Sequence, residues 1–436
     1  MSAVNGMAGQ DRQLEVIGEP SAGLAGILLA FAGGIALGWL AWGEGRAPAL
    51  AALLPILVAL AGNRPQAFAI GAGYALGVLR YTPAFIGGWF DGSLLVGGAA
   101  LATFMLVSGF VWCLGWSSSS RPWRRALAIM VASGIALMPP AAIAVPGHPM
   151  IAWGSILPGS GWSGVAASFI LPAAFIMAHQ ALSVRVGAAK ALVLVLVIAC
   201  ALVALGYAQA RIAPSVGPSG IVAVTTHWGK TGDTDDVLRR IIAMGEMSER
   251  LAQSHQPTVV IWPESIIGRY DKSLYPWFVE HLLEPAVRDG QTHVVGIDLP
   301  LAGGLFENAA VAFYPDGSSA VAVARQPAPL SLWRPWRTSE TFVADWTANN
   351  ILVLNNGLRA ALIFCYEEYM PILYLINELR DRPDVYIALA NTWAERNPVG
   401  AQIQSQHSLG IARLFGRPYV KAENRPLATS GQQRLP

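Results

Sequence analysis

Two short stretches of this 436-residue chain carry side chains whose types and placement fit a single piece of chemistry. In the first, Val259-Val260-Ile261 runs into Trp262-Pro263-Glu264-Ser265, so a carboxylate emerges just after an apolar run and a rigid proline. In the second, Ala361-Leu362-Ile363-Phe364 runs into Cys365-Tyr366-Glu367, so a thiol emerges from another such run. A thiol beside a carboxylate is a nucleophile beside its base, and its attack on an acyl group passes through a thioester. Taken singly, each signal has a plain structural reading: a cysteine ending an apolar run is also what a small core residue looks like, and Glu264 alone could cap a helix.

The elements that must position these groups lie in the second half of the chain. Residues 220–225, 258–262, 293–297, 358–364 and 385–390 read as short apolar or β-branched strands. Residues 309–313 and 320–324, joined through Pro315-Asp316-Gly317, read as a strand, turn and strand. Residues 234–254 and 278–287 fit helices, the first with Val237, Leu238, Ile241, Ile242, Met244 and Leu251 at helical spacing. Strands alternating with helices, several of them apolar on both faces, predict an α/β domain with buried sheets over 219–424. A linker rich in Pro and Gly, 211–218, precedes it, and a polar tail, 425–436, follows.

The first half is different material. Residues 1–210 hold only fourteen of the fifty-six charged side chains, and 126–184 hold none. A water-soluble domain of that composition would expose far more apolar surface than a monomer tolerates, so lipid is the expected solvent. After a tail of 1–20, seven apolar segments are read as membrane spans over 21–210, at about 21–43, 47–62, 65–80, 93–116, 125–146, 162–180 and 190–208. An N-terminus in the cytoplasm puts Arg12, Arg64, Arg121, Arg124, Arg125, Arg185 and Lys190 inside against Arg46 and Arg80 outside, the distribution that the positive-inside rule favours. Seven spans then place the second half outside the cytoplasm, in the periplasm of a bacterium, where Cys365 would be an unpaired thiol. A net charge of +2 without a basic stripe argues against direct nucleic-acid binding, and seven dispersed histidines argue against a metal site; no cofactor is expected.

The Trp-Pro-Glu and Cys-Tyr-Glu runs together resemble the carbon-nitrogen hydrolase, or nitrilase, superfamily, whose Glu-Lys-Cys triad sits on an αββα sandwich. A membrane-spanning N-terminal half narrows the resemblance to the apolipoprotein N-acyltransferases. Phe306-Glu307-Asn308, Asn391-Thr392-Trp393, Gln406-His407, Ala412-Arg413, Gly416-Arg417-Pro418 and Ala422-Glu423-Asn424 resemble further family motifs in their order. The loop from Gly147-His148-Pro149 to Trp162, the run Ser331-Leu332-Trp333-Arg334-Pro335-Trp336 and the short C-terminus look most like a conjugal plasmid-transfer branch of that group.

The resemblance implies that Cys365 is the nucleophile, Glu264 the general base and Glu367 a supporting carboxylate, with Trp262, Tyr366 and Asn391 as substrate- or lipid-binding residues; Arg334 and Arg337, where the family sequence is missing, read either as a fork for lipid phosphate or as solvated loop arginines. It implies a phospholipid or lipoprotein-like acyl donor and acceptor, a bilayer, and conjugation machinery as partners. The family lysine is expected after the Pro-Asp-Gly turn, where this chain has Arg325. Arginine keeps the charge that holds an oxyanion but cannot give up a proton at working pH. Two functions follow as expectations: acyl transfer or amide hydrolysis through a Cys365 thioester, or a catalytically weak relative kept as a membrane accessory of conjugation. With little chain after Asn424, the sandwich is expected to lack its final edge strands.

Overall fold

A computed structural model describes residues 23–427, apart from 44–45, 213–216, 255–257 and 396. The expected cytoplasmic tail with Arg12, the centre of the linker, and residues 428–436 of the polar tail lie outside the described residues.

The second half holds two sheets built from strands β1 (Ile221–Ala223), β2 (Thr225–Thr226), β3 (Val259–Ile261), β4 (Thr292–Pro300), β5 (Leu305–Phe313), β6 (Ser319–Val323), β7 (Thr341–Phe342), β8 (Ile351–Val353), β9 (Arg359–Phe364), β10 (Val385–Asn391) and β11 (Tyr419–Asn424). One sheet runs β1-β3-β4-β5-β6 with β7 beside β5, and the other runs β2-β11-β10-β9-β8. Neighbours β1, β3 and β4 are parallel, as are β2, β11, β10 and β9. The β5–β6 hairpin turns through Pro315-Asp316-Gly317, with Gly317 at φ +79°, a conformation that a side chain would strain.

Alternation along each strand sorts its residues between two cores. Val259 and Ile261 of β3 share one apolar cluster with Val294, Ala310, Leu362, Phe364, Ile387 and Leu389, so the two sheets face each other across it. Val260 and Trp262 turn the other way, against Ile241 and Met244 of the helix Thr234–Ser254 and Phe278 and Leu282 beyond it. On the outer face of the second sheet, Ala361, Ile363, Tyr386 and Ala388 meet the helices Pro371–Arg380 and Val399–Phe415. The same cluster continues into Trp42, Tyr74, Trp112 and Met150 of the first half, so one hydrophobic core crosses between the halves.

The first half is helical. Three of its described helices are long and apolar enough to cross a membrane: Leu24–Ala41, Leu94–Cys113 and Trp162–Val186. The segment expected at 65–80 is the helix Arg64–Val78, opened by Asn63, whose side chain accepts from the Gln66 N–H at 3.0 Å. That expected at 47–62 is a 3₁₀ turn, Pro48–Leu53, running into the short helix Leu54–Ala59. That at 125–146 is the helix Pro122–Leu137, which stops before Pro139-Pro140 because proline lacks the N–H and crowds the preceding turn. The segment at 190–208 lies within the 25-residue helix Ala188–Ile212.

Close approach of two of these helices rests on glycine. A Cβ at Gly34 or Gly38 would sit 2.3 or 2.4 Å from the carbonyl oxygens of Ile70 and Tyr74, and one at Gly73 or Gly77 would sit 2.3 or 2.5 Å from those of Phe31 and Ile35. This reciprocal Gly-xxx-Gly pairing of Leu24–Ala41 with Arg64–Val78 brings their backbones together, a mode of packing that membrane helices use.

Candidate active site

Glu264 follows β3, and Cys365 follows β9; the facing sheets bring their ends together. The Glu264 carboxylate and the Cys365 thiol line the same cleft, both are buried, and each feels the other's charge or dipole. Cys365 opens a short 3₁₀ turn, Cys365–Tyr369, with φ +33°, a sparsely populated conformation for a residue with a side chain. Glu367 holds that elbow. One of its oxygens reaches back to the Phe364 N–H at 2.9 Å, and the other accepts from the Arg325 and Gln326 N–H groups at 2.5 and 2.9 Å. Its carboxylate therefore ties the loop after β6 to the turn that carries the thiol.

Glu264 is oriented by Asn308 of β5, whose Nδ2–H donates to its Oε1. Burial pushes the Glu264 carboxyl up to about 8, against the pull of the Asn308 hydrogen bond. Burial, and then the Glu264 charge, drive the Cys365 thiol well above its ordinary value; the Asn391 backbone N–H and the Gln404 side chain oppose this. Burial also raises Glu367 to about 7. Glu264 and Cys365 titrate as a coupled pair, and in its ionised form the Glu264 carboxylate can take the thiol proton as sulfur attacks.

Thiol and carboxylate open into a cleft with one wall from each half of the chain. Tyr366, Tyr369, Asn391, Gln404 and the loop Ala328–Leu332 line it from the α/β side. Phe85, Ile86 and Trp89 of the helix Thr82–Trp89, with Phe104 and the loop 142–146, line it from the helical first half. The Tyr366 hydroxyl donates to the Ile143 carbonyl across the join, and Trp89 packs edge-on against Trp393 with ring centroids 4.9 Å apart.

The remaining expected site residues are placed as follows. Asn391 lines the cleft and accepts from Asn424 Nδ2 at 3.0 Å. Trp262 is fully buried in the core behind β3, its Nε1–H 3.4 Å from His293 Nδ1, because alternation turns it to the helix side. Arg334 folds back on its own loop, donating to the Leu330 and Ser331 carbonyls at 2.8 Å each, and Arg337 is exposed. Arg325 is buried with its guanidinium turned to the helix Pro371–Arg380: it donates to Asn377 Oδ1 at 2.6 Å and to the Ala348 carbonyl at 2.9 Å. Glu264 and Cys365 are thus brought together directly, and Glu367 and the Arg325 backbone lie one layer behind them.

Three contributors were not singled out as site residues from sequence. Asn308 sat in a motif that carried the resemblance, so its signal was present. Gln404 lies three and four residues before His407 and Ser408 on the buried face of the helix Val399–Phe415, a spacing that marks a buried face without marking chemistry. Lys421, on β11, is paired with Glu368 at 2.9 Å beneath the cleft. Among the described residues no cluster of His, Cys, Asp and Glu could hold a metal ion.

Two solved structures resemble this chain over about half of its length. A carbon-nitrogen hydrolase from Helicobacter pylori G27 matches 49% of this chain and 76% of its own, with a TM-score of 0.38 and 13% identity. An amidase from Nesterenkonia sp. matches 48% of this chain and 78% of its own, with a TM-score of 0.36 and 16% identity. The sequence is homologous over most of its length to conjugal transfer proteins. It is 27% identical to conjugal transfer protein TraB of Agrobacterium fabrum over 431 residues, covering 91% of this chain and 92% of that protein. It is 25% identical to the probable conjugal transfer protein TraB of Sinorhizobium fredii, over 86% of this chain and 92% of that one. No family model matches the chain.

Proposed function

We propose that this chain is a membrane-anchored acyl-handling protein of the carbon-nitrogen hydrolase kind, acting in conjugal plasmid transfer. Its substrate is lipid-associated, and its chemistry is acyl transfer or amide hydrolysis through a thioester on Cys365. The observation that carries the reading is that Glu264 and Cys365 are both buried and line one cleft whose other wall is apolar residues of the helical first half. Glu264 takes the thiol proton as sulfur attacks the acyl carbon. The C–S bond forms, and the bond to the departing oxygen or nitrogen breaks as Glu264 returns the proton to it. Water or an amine then accepts the acyl group. A two-chain lipid leaves the bilayer reluctantly, at ~0.8 kcal/mol per buried CH₂, so an apolar cleft that continues the membrane half suits such a donor.

The site sits on a sandwich of the nitrilase sort, and its setting in this proposal is the bacterial inner membrane, with seven spans and a periplasmic α/β domain. Supporting this, the loops that carry Arg46 and Arg80 are on the side of the membrane half that meets the α/β domain: the Gly43 N–H and C=O pair with the Gln406 amide, and Arg80 donates to the Trp42 carbonyl. A second reading, a catalytically weak accessory of conjugation, is favoured by Arg325, whose guanidinium is engaged with Asn377 instead of the cleft.

One measurement separates the two. Full-length protein in phospholipid micelles is examined by intact mass, with Cys365→Ala as control. The enzyme reading expects an acyl adduct on the wild type that the variant lacks. A wild type without an adduct, under conditions where an N-acyltransferase forms one, leaves the accessory reading.

A further inference from the structure

Arg325 faces away from the thiol, yet a different cation lies behind it. Lys421 Nζ is 2.9 Å from Glu368 Oε1 and 3.9 Å from Glu423 Oε1, and it donates to Gln404 Oε1 at 3.3 Å and to Ser405 Oγ at 3.1 Å. An ammonium only donates, so the face of the Gln404 amide turned to it must be the oxygen. The other face, Nε2–H, is thereby directed at Cys365, where it donates to Sγ at 3.6 Å and to the backbone carbonyl. A chain of donors thus runs from a buried ammonium through one amide to the nucleophilic sulfur.

We propose that Lys421 and Gln404 together supply the positive electrostatics of this site, the part expected of a lysine at position 325. Gln404 is the catalytic member, since its N–H touches the sulfur and stabilises the thiolate. Lys421 is a positioning residue: it fixes which way the amide points and polarises it. Donor chains of this kind strengthen one another in a low-dielectric interior. The ammonium stays charged because Glu368 and Glu423 outweigh the burial that would otherwise lower its pKa. Glu395, which lines the cleft, adds a third carboxylate to its surroundings, and Glu264 is the charge facing the thiol from the other side. No proton leaves Lys421 in this scheme; Glu264 both takes the proton and returns it, so arginine at 325 costs the reaction nothing.

The proposal rests on Cys365 being the nucleophile but needs no substrate to be tested. Full-length protein carrying Cys113→Ala and Cys200→Ala is alkylated with iodoacetamide across pH 6–10, and modification of Cys365 is read by mass. Gln404→Leu and Lys421→Met should each slow the reaction roughly tenfold at pH 7, as a rise of about one unit in the thiol's midpoint requires. The double variant should be no slower than either, and Lys421→Arg should restore most of the rate. An unchanged pH profile in Lys421→Met, or single effects that multiply in the double variant, would overturn the relay. If Lys421→Met does not fold, Gln404→Leu keeps the Lys421–Glu368 pair intact, and a wild-type rate in that variant is equally fatal. A protein that forms no acyl adduct yet shows this pattern loses the proposed substrate and keeps the relay.

Discussion

At the scale of single residues, Glu264 stands where function and stability oppose each other. Its carboxyl ordinarily titrates near 4.5 and is raised to about 8 by burial. The folded state therefore binds its proton more tightly than the unfolded state does. That contribution to stability is fully present below the ordinary carboxylate value and is lost as pH climbs through about 8, where the base becomes charged. Glu264→Gln keeps a neutral group of the same shape, so its Tm should match the wild type near pH 5 and exceed it at pH 9. The same variant should lose Cys365 alkylation by about 10²–10⁴-fold at pH 8, the usual worth of a general base. A Tm difference that does not grow with pH would mean that Asn308 and the thiol have already compensated the buried charge.

At the scale of elements, the helices Leu24–Ala41 and Arg64–Val78 give the sharpest test. Gly33 and Gly34 are neighbours in sequence, but a Cβ at Gly33 meets nothing within 4 Å, while one at Gly34 meets backbone at 2.3 Å. Gly34→Val should cost about 1–3 kcal/mol, the range for overpacking, and lower the detergent melting temperature, while Gly33→Val should be neutral. Equal melting temperatures would dismiss the close glycine contact. The four-residue spacing of Gly34 with Gly38 and of Gly73 with Gly77 was plain in the sequence, yet hydropathy alone shows length and not which faces touch. The same limit explains the helix Thr82–Trp89. Its Phe85, Ile86 and Trp89 fall between the expected spans 65–80 and 93–116, and only the tertiary fold makes them a wall of the cleft. By contrast, β3 and β9 were legible because buried parallel strands are continuous apolar runs that no helix period fits. Glu264 and Cys365 were legible with them, since a reactive side chain after such a run has a fixed place at the end of the sheet. Gln404 and Lys421 were not, because what matters is which atom of an amide faces which neighbour, and spacing cannot encode that.

At the scale of the whole molecule, the shared core decides which ends of the first-half helices face the α/β domain. Gly43 pairs with Gln406, the Gly147 N–H donates to His407 Nε2 at 3.0 Å, and Trp162 packs against Phe415, so all three positions lie on the domain side. Trp116 Nε1–H donates to the Ala61 carbonyl at 2.7 Å and Arg125 to that of Ser117 at 2.9 Å, tying together loops at the opposite end. Followed in order, the chain changes end between Leu24 and Gly43, Gly43 and Ala61, Ala61 and Arg80, Leu94 and Cys113, Arg125 and Gly147, Trp162 and Val186, and Ala188 and Ile212. That alternation is the one the seven proposed crossings require; three of the helices involved are long and apolar enough to span, and the apolar helix Pro48–Ala59 is shorter. It also groups Arg64, Arg121, Arg124, Arg125, Arg185 and Lys190 away from the domain, with Arg46 and Arg80 beside it. Under the positive-inside rule that grouping favours the proposed placement of the domain outside the cytoplasm. Alkaline phosphatase fused after Gln209 should be active, and a fusion after Ser118 inactive. Activity in the opposite pair would put Cys365 in the cytoplasm and remove the periplasmic setting, while leaving the Glu264–Cys365 geometry untouched, because that geometry depends on the shared core and not on which compartment the core faces.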